Sequence, residues 1–417
     1  MSAASRVVSD LPPSTVPTSS VLALPPRLFV PVGGNAKVLE VGTRVERGDR
    51  IVSDEASGAL TPAPGTLVEV RDVELLDARR SRAVEIEVGT SAQTAEGATP
   101  SAKPQAADGA LVDVLRRSGV TASRHTSPDL LAQLQEAKQT KIDLIVCNLL
   151  DVDGGSSLHA KVIRERGAML VAGLSAIATA VSCKNVIIAA DPSLSGRASV
   201  LARKSKNAAK IKVESLENDY PQSDPTLLLY ALSGKRLLPG ELPTSVGAIV
   251  LDGVAAAAIG RCIENGEPML TVPIEIRDST RARSHVAVAA VGTPLRFVLE
   301  SLGMKGSYTL RAGAALRDVR VSPDAIVSGD GELSIDAGAI SIAINPDPCI
   351  RSGWCVENCP VRINPAALLE AAQENDSAMA EKYGLHACIE CGICSYVCPS
   401  RLPLLGAIRE LRKGARS

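Results

Sequence analysis

The sequence has few aromatic side chains, because Phe, Trp and Tyr together make up 2% of its 417 residues. A platform that stacks single-stranded nucleic acid needs exposed rings, so this scarcity argues against such a function. An excess of charge of one sign is also lacking, since 45 Lys and Arg residues stand against 46 Asp and Glu residues. No long basic block occurs either, so binding to a phosphate backbone is not expected.

Long hydrophobic runs are absent as well. Arg166–Cys183 is weakly polar but rich in Ala, Gly, Ser and Thr, and Val246–Ile259 is interrupted by Asp252. Both differ from the roughly 20 consecutive apolar residues that a membrane span requires. Met1–Pro26 lacks the continuous apolar core of a signal peptide. The sequence therefore predicts a cytoplasmic protein.

The length of the chain predicts two to four domains. The expected fold class is multidomain α/β and α+β, with a Rossmann-like α/β domain and a β-grasp domain between a β domain and a C-terminal helical two-cluster ferredoxin module. The predicted boundaries are 1–25 for a flexible leader, 26–90 for a β domain, 91–109 for a linker, 110–243 for the α/β domain, 244–340 for the β-grasp domain and 341–417 for the cysteine-rich module.

Local patterns underlie these domain predictions. Residues 26–90 alternate like short strands and are similar to lipoyl- and biotinyl-type barrel-sandwich folds, although Ile51–Thr61 contains no lysine for a swinging-arm cofactor. Asp143–Cys147 and Asn185–Ala190 are apolar runs typical of buried parallel strands. Helical periods alternate with them, a pattern that predicts an open α/β sheet.

Ten cysteines are present, and their distribution is uneven. Cys147, Cys183 and Cys262 lie singly among apolar residues, where a buried, small hydrophobic role is expected. The other seven lie in the final 70 residues. In a chain without a secretion signal, such clustering favours metal binding over disulfides.

The second cysteine run reads C-x2-C-x2-C-x3-C-P, from Cys388 through Cys391 and Cys394 to Cys398 and Pro399. This is the spacing of bacterial-type four-iron ferredoxins. A structural zinc site is the alternative, but zinc ribbons use two separated C-x2-C pairs. The run therefore predicts an iron–sulfur cluster.

The first cysteine run has the same frame 39 residues earlier, with Ser352 in place of its second cysteine. In two-cluster modules the fourth cysteine of each run binds the other cluster. This rule assigns one complete 4Fe-4S ligand set and a second set in which Ser352 occupies one corner. The second set therefore holds a 4Fe-4S cluster, a 3Fe-4S cluster or no cluster. The first set is Cys388, Cys391, Cys394 and Cys359, and the second is Cys349, Cys355, Cys398 and Ser352.

With these motifs, the chain resembles the RnfC family of the Rnf electron-transport complex. The likeness extends over most of residues 25–412 and includes CIECGICSYVCPSRLPLL, Tyr220-Pro221-Gln222 and Gly266-Glu267-Pro268. The resemblance implies a subunit, peripheral to the inner membrane, that relays electrons between NADH or ferredoxin and other subunits of a membrane complex or a soluble redox protein. It also implies that the β-grasp domain is of the soluble-ligand-binding type.

Family members bind FMN and NADH through a glycine-rich loop and an acidic motif, and this chain departs from both. The loop position corresponds to Ser118–His125, where a single glycine remains and side chains replace bare backbone. The acidic motif falls on Asn148, Asp151 and Asp153 at the end of a predicted strand. These are the candidate cofactor-binding residues, and loop and helix-cap roles are the alternative for the two acids. FMN and NADH binding, and any NADH-dependent activity, are therefore expected to be weak or lost.

Two other functions are compatible with the sequence. Cobalamin-reductase-like flavoproteins of bacterial microcompartments share this architecture, and bound flavin would favour such a role. A non-catalytic scaffold subunit with one remaining cluster is the third possibility. An electron relay needs no catalytic side chain, and none is assigned.

Overall fold

The structure is a computed structural model that describes residues 20–55, 57–89, 111–152, 157–205, 209–237, 240–281, 283–338 and 345–414. Most of the predicted leader, the whole predicted linker and Asp153 lie outside these ranges. The mixed α/β architecture predicted from the sequence is confirmed, with several sheets connected by helices.

The first sheet is antiparallel and is formed by residues near the N-terminus. Its strand order is β2-β5-β4-β3, and its strands are β2 (Arg27–Val32), β3 (Arg44–Val45), β4 (Gly65–Glu74) and β5 (Arg80–Val88). Alternate side chains of β2 point inward, so that Leu28, Val30 and Val32 are buried in a separate apolar cluster. A two-residue strand, β1 (Ser20–Val21), pairs with a different sheet further along the chain.

The second sheet is fully parallel, in the order β8-β7-β6-β9. Its strands are β6 (Leu144–Asn148), β7 (Asn185–Ala190), β8 (Lys210–Ser215) and β9 (Ala248–Asp252). Strands β6 and β9 are buried throughout, as helices on both faces of a parallel sheet require. The helices are α1 (Leu111–Arg117), α2 (Leu130–Glu136), α3 (Leu158–Ala180), α4 (Pro192–Arg203), α5 (Pro225–Ser233) and α6 (Gly253–Gly260).

The weakly polar stretch after Arg166 is the second part of the long helix α3, which is interrupted by non-helical backbone at Arg166. Its small residues permit very close packing of α3 against α6. A Cβ atom added at Gly173 would collide with the carbonyl oxygen of Ala256, and one added at Gly260 would collide with that of Met169. The composition that excluded a membrane span is therefore the composition that this helix contact needs. No helix among the described residues is long and apolar enough to cross a membrane.

The third sheet has six strands in the order β1-β11-β10-β14-β12-β13. Its remaining strands are β10 (Thr271–Asp278), β11 (Arg283–Ala290), β12 (Leu310–Ala312), β13 (Val319–Arg320) and β14 (Ser334–Ala337), and it carries the helix α7 (Leu295–Ser301). The parallel pairing of β1 with β11 means that the end of the predicted leader, at Ser20 and Val21, is part of this sheet.

One predicted boundary is wrong. Residues 244–340 were expected to form one β-grasp domain, but β9 pairs with β6 in the parallel sheet, and α6 packs on α3. The apolar run of β9 is short, and its sequence does not indicate which strand it pairs with. The local pattern therefore could not predict the sheet to which β9 belongs. Within the predicted range 244–340, the strands of the third sheet begin only at Thr271.

The C-terminal module is helical, with α8 (Trp354–Glu357), α9 (Pro365–Glu374), α10 (Ser377–Lys382), α11 (Ile393–Tyr396) and α12 (Leu404–Gly414). Pro365 at the start of α9 and the Asn364 side chain, which accepts a hydrogen bond from the Ala367 amide, begin that helix. Leu368, Ala371 and Ile408 bury the contact between α9 and α12.

Candidate functional site: the cysteine module

The two cysteine runs form the same backbone structure twice. The Arg351 amide lies 3.4 Å from the Cys349 sulfur, and the Glu390 amide lies 3.3 Å from the Cys388 sulfur. Each run then has a glycine of positive φ, 79° at Gly353 and 76° at Gly392, followed by a short helix, α8 or α11. The 39-residue repeat seen in the sequence is therefore a structural repeat, and the presence of Ser352 does not change the backbone of the first run.

Four thiols from both runs line one cavity. They belong to Cys359 of the first run and Cys388, Cys391 and Cys394 of the second. Three of them are nearly inaccessible, with 7%, 9% and 8% of Cys359, Cys391 and Cys394 exposed. The rest of the cavity wall is apolar and consists of Val361, Ile363, Ile389, Leu405 and Ile408. This is the complete ligand set predicted from the spacing.

The chemistry of these donors fits an iron–sulfur cluster. Among the described residues, no three Cys, His, Asp or Glu side chains are close enough together to bind a single metal ion. A four-iron cluster does not need such closeness, because each of its four thiolates binds a different iron. A structural zinc site can also have four thiolates, so it is the C-x2-C-x2-C-x3-C spacing of the second run that favours a cluster over zinc.

Three thiols of this cavity, those of Cys388, Cys391 and Cys394, are protonated at neutral pH in the free protein. Burial raises the pKa of both Cys391 and Cys394 to about 12, and neighbouring thiols add to the effect. Burial also raises the pKa of Cys388, which a bond from the Glu390 amide and the charge of Arg412 partly offset. Metal ligands must be thiolates, so the binding of iron to these residues releases protons.

A charged group from α12 holds the second run in place. Arg412 donates hydrogen bonds to the carbonyl oxygens of Leu385, His386 and Cys388, and it pairs with Glu390 at 2.6 Å. Arg409 pairs with the same carboxylate at 2.9 Å. These interactions fix the loop that carries Cys388 and Cys391. The ring of His386 is not part of the cavity lining. Its main-chain oxygen accepts the hydrogen bond from Arg412.

The second run also packs against the two preceding domains. The Tyr220 hydroxyl donates a 2.5 Å hydrogen bond to the Cys391 carbonyl oxygen. Gly392 approaches the main chain of Leu316 so closely that an added Cβ atom would collide with the carbonyl oxygen of that residue. Arg409 contacts the carbonyl oxygens of Arg317 and Asp318. The sequence analysis missed these contacts, because local spacing carries no information about which distant residue packs on a loop.

The second ligand set is more accessible. Cys349 and Ser352 are exposed, and Cys355 and Cys398 are partly buried. Burial raises the pKa of Cys355, and the nearby Cys398 and Cys349 sulfurs contribute to the increase, so the three thiols are close enough to interact. The structure thus brings three of the four predicted ligands of the second set to the outer side of the module.

The α/β domain presents a different candidate site at the carboxyl edge of its sheet. Its strand order reverses between β6 and β9, and ligands of open α/β folds bind at such a point. A cavity lies there, and its volume is about 30 Å³. Its polar lining comprises Ser123, Thr126, Asp151, His159, Asp252, Glu332 and Ser334.

Protein side chains bond to one another across this edge. Thr126 and Ser127 donate hydrogen bonds of 2.7 and 3.0 Å to the buried carboxylate of Asp252. His125, in the loop that corresponds to the family's glycine-rich segment, pairs at 2.7 Å with Glu332, which lies just before β14. The side chain of Thr121 is so close to Gly329 that an added Cβ atom there would collide with it. Among the described residues, which leave out 153–156 beside Asp151, this edge is closed by bonds between the chain's own side chains.

The structure describes two of the three predicted cofactor residues, Asn148 and Asp151. The Asn148 side chain donates to the Ser223 carbonyl at 2.8 Å and accepts from the Leu150 amide, so its hydrogen bonds are satisfied. Asp151 is buried with one oxygen 3.1 Å from His159 Nδ1, although the two atoms are not aligned for a hydrogen bond. Burial, together with Glu275 and Asp191, raises the pKa of Asp151. Asp153 lies outside the described residues.

Sequence reasoning missed Asp252, His159 and Glu332 at this edge. Asp252 directly ends the apolar strand β9, and its side chain caps α6 by accepting from the Ala255 amide at 2.8 Å. An acid at the end of a parallel strand was therefore an available signal, which the misplaced domain boundary concealed. The three isolated cysteines are confirmed as buried core residues, with Cys147, Cys183 and Cys262 at most 4% exposed.

Comparisons with known proteins agree with this organisation. The family profile of the Nuo51 FMN-binding domain matches residues 129–261, and that of the 4Fe-4S dicluster domain matches residues 341–400. The first match begins after the loop Ser118–His125 and includes β9 and α6, in agreement with the corrected boundary. In fold, the chain is similar to the NAD+-reducing NiFe hydrogenase in the H2-reduced state, with a TM-score of 0.50 and 11% identity over 75% of this chain and 62% of the hydrogenase chain.

Several curated proteins are similar in sequence, and they are RnfC-type subunits. The one from the ion-translocating oxidoreductase complex of Buchnera aphidicola is 25% identical over 48% of this chain and 43% of its own length. The one from the proton-translocating ferredoxin:NAD(+) oxidoreductase complex of Clostridium ljungdahlii is 21% identical over 85% of this chain and 80% of its own length. The chain thus spans less than half of the first relative and most of the second. It is a divergent protein that resembles the RnfC subunits of Rnf-type complexes.

Proposed function

We propose that this chain is an iron–sulfur electron-transfer subunit of an Rnf-type, membrane-associated complex. The observation that carries the proposal is the convergence of four thiols, from Cys359, Cys388, Cys391 and Cys394, on one cavity. When bound, a 4Fe-4S cluster takes up and releases one electron. The partners are other subunits of such a complex or a soluble redox protein, and the protein acts at the cytoplasmic side of the inner membrane.

The chain contributes the environment of this relay. Arg409 and Arg412 hold the second run through Glu390, and the apolar wall of the cavity excludes water from the thiolates. The charge of Arg412 favours a negatively charged site. The first run repeats this backbone with three cysteines and Ser352. It supports a second cluster site in which the iron at the Ser352 corner is weakly bound. No catalytic side chain is required.

The α/β domain serves this function as a structural support without FMN or NADH. The bonds between its own side chains at the carboxyl edge of the sheet support this view. We further propose that the first sheet is of the barrel-sandwich type and that the third sheet is a β-grasp domain of the soluble-ligand-binding type. The mixed pairing of the third sheet, in which β10 runs antiparallel to β11 and parallel to β14, supports the second assignment.

The test is anaerobic reconstitution followed by iron, sulfide and flavin quantitation and electron paramagnetic resonance. Cys391→Ala is expected to abolish the reducible four-iron signal, whereas Cys262→Ala, at a buried core cysteine, leaves it unchanged. Unchanged iron in the double variant Cys388→Ala/Cys391→Ala would contradict the ligand assignment. Stoichiometric FMN, or NADH oxidation faster than about 1 per second, would show instead that the α/β domain is active.

A further inference from the structure

The first cysteine run presents an apolar surface that nothing in the described structure covers. Ile350, Trp354 and Val356 are 69%, 52% and 37% exposed, and Trp354 is the one tryptophan of the chain. These are three of the eight large hydrophobic side chains that are exposed among the described residues, and they lie within seven positions of one another. We call Ile350, Arg351, Trp354 and Val356 the outer face.

The structural repeat provides an internal reference for the outer face. The position of Trp354 corresponds to Ile393 in the second run, which is 5% exposed. The position of Val356 corresponds to Ser395, whose hydroxyl accepts a hydrogen bond from the Leu405 amide at 2.9 Å. Corresponding positions of the repeated unit are thus in contact with protein in one copy and exposed in the other.

The glycines of the two runs show the same difference. Gly392 and Gly353 share a positive φ, but Gly392 lies against the Leu316 carbonyl, whereas no atom lies within 4 Å of a Cβ position at Gly353. Gly392 is covered by this chain's own preceding domains, through Leu316 and the Tyr220 bond to Cys391. The backbone of the first run is therefore shaped for a close contact with protein that the described residues do not supply.

Charge indicates what covers the outer face. Glu390, in the covered run, is paired with Arg409 and Arg412. The corresponding residue of the open run is Arg351, which is exposed and makes no ion pair with any described residue. Arg362, two residues after Pro360, is exposed as well, so two exposed cations stand against the exposed Glu357 of α8. A partner that matches this surface has an apolar patch bordered by carboxylates.

We propose that the outer face is the docking site of an acidic redox protein. The inference rests on the proposed function, because the exposed Cys349 beside Ile350 belongs to the outer ligand set, and electron transfer requires a partner's redox centre close to it. The partner's apolar patch covers Trp354, and its carboxylates pair with Arg351. An apolar contact with a complementary charged border gives both affinity and fast association.

The test measures binding of the full-length, reconstituted protein to an acidic two-cluster bacterial ferredoxin, with the basic cytochrome c of horse heart as the opposite-charge probe. Binding is recorded by biolayer interferometry at two salt concentrations, and electron transfer by stopped-flow mixing. We expect saturable, salt-sensitive binding to the ferredoxin. Trp354→Glu and Arg351→Glu are each expected to weaken it by about tenfold or more. Arg351→Glu is also expected to strengthen binding to the basic cytochrome.

Val200→Glu is the matched control, because Val200 is 46% exposed on α4 and far from the cysteines in sequence. It is expected to bind like the wild-type protein. Iron content and the electron paramagnetic resonance spectrum are recorded for every sample, so loss of the clusters, which would contradict the proposed function, is separated from loss of docking.

Three results would overturn the docking proposal while the clusters remain intact. The first is ferredoxin binding that is absent or equal in the wild-type and outer-face variants. The second is a dimer in sedimentation analysis that Trp354→Glu converts to a monomer, which would assign the outer face to a second copy of this chain. The third is flotation with phosphatidylglycerol vesicles that Trp354→Glu abolishes, which would assign the face to a lipid surface.

Discussion

The hydroxyl of Tyr220 donates a 2.5 Å hydrogen bond to the carbonyl oxygen of Cys391, 171 residues further along the chain. This bond links the segment before α5 of the α/β domain to the loop that carries Cys388 and Cys391. These are two of the four proposed ligands of the cluster in the buried cavity, which we call the inner cluster. The α/β domain therefore supports the cysteine module directly, whether or not it binds a nucleotide.

Replacement of Tyr220 tests this support. Tyr220→Phe removes the hydroxyl and leaves the Cys391 carbonyl without that donor, at a cost of about 1 kcal/mol. We expect iron release to a chelator to become several-fold faster at neutral pH, while the iron content of fresh protein stays the same. Tyr230→Phe is the control, since Tyr230 is 52% exposed. Equal release rates for the two variants would show that the bond does not stabilise the site.

The paired glycines of the two runs give a second prediction. Gly353→Ala introduces a Cβ atom at positive φ in open space, which costs about 1 kcal/mol. Gly392→Ala has the same conformational cost and also collides with Leu316, so we expect at least twice the loss of stability. The unfolding midpoint of the reconstituted protein measures both losses. Similar midpoints for the two variants would contradict the close approach of Gly392 to Leu316.

Ser352→Cys tests the outer cluster. A serine oxygen is a harder donor than a thiolate and ionises at far higher pH, so it is a poor ligand for iron. We expect the wild-type outer site to interconvert between three-iron and four-iron forms. The substitution should add about one iron atom per chain and convert a three-iron resonance signal to a four-iron signal. An increase from about four to about eight iron atoms would show that the wild-type outer site is empty.

The ion pair between Glu332 and His125 predicts a pH dependence of stability. Burial disfavours the charged form of Glu332, but His125 and Arg317 more than offset this effect and lower the pKa of Glu332. A lowered folded-state pKa stabilises the protein above the unfolded value of about 4.3, and this contribution is lost as the pH falls through the folded value. Glu332→Gln should cost about 2 kcal/mol at neutral pH and make the acid-induced loss of stability less steep.

Urea unfolding of the apoprotein from pH 7 to pH 3 measures this dependence without a contribution from acid-labile clusters. Asp324→Asn is the control, because Asp324 pairs with Arg296 at the surface with 65% of its side chain exposed. Surface pairs contribute little, so its curve should follow that of the wild-type protein. A Glu332→Gln curve parallel to the wild-type curve would show that the pair does not cause the dependence.

The sequence by itself determined the features that depend on near neighbours. The spacing of Cys388, Cys391 and Cys394 predicted one loop, and the 39-residue offset predicted a second loop of the same shape. The apolar run Asn185–Ala190 predicted a strand that the structure places at the same residues. Such features follow from hydrogen bonds and side-chain patterns within a few residues, and these are fully present in the local sequence.

Tertiary structure alone decided which residues meet across long separations. It placed β9 in the parallel sheet, filled the switch-point cavity with bonds between the protein's own side chains, and covered one cysteine run while it left the other exposed. The sequences of the two runs differ little in their hydrophobic content, so local pattern gives no reason for Ile393 to be buried and Trp354 to be exposed. That difference arises from packing, because only the second run lies against Leu316 and Tyr220.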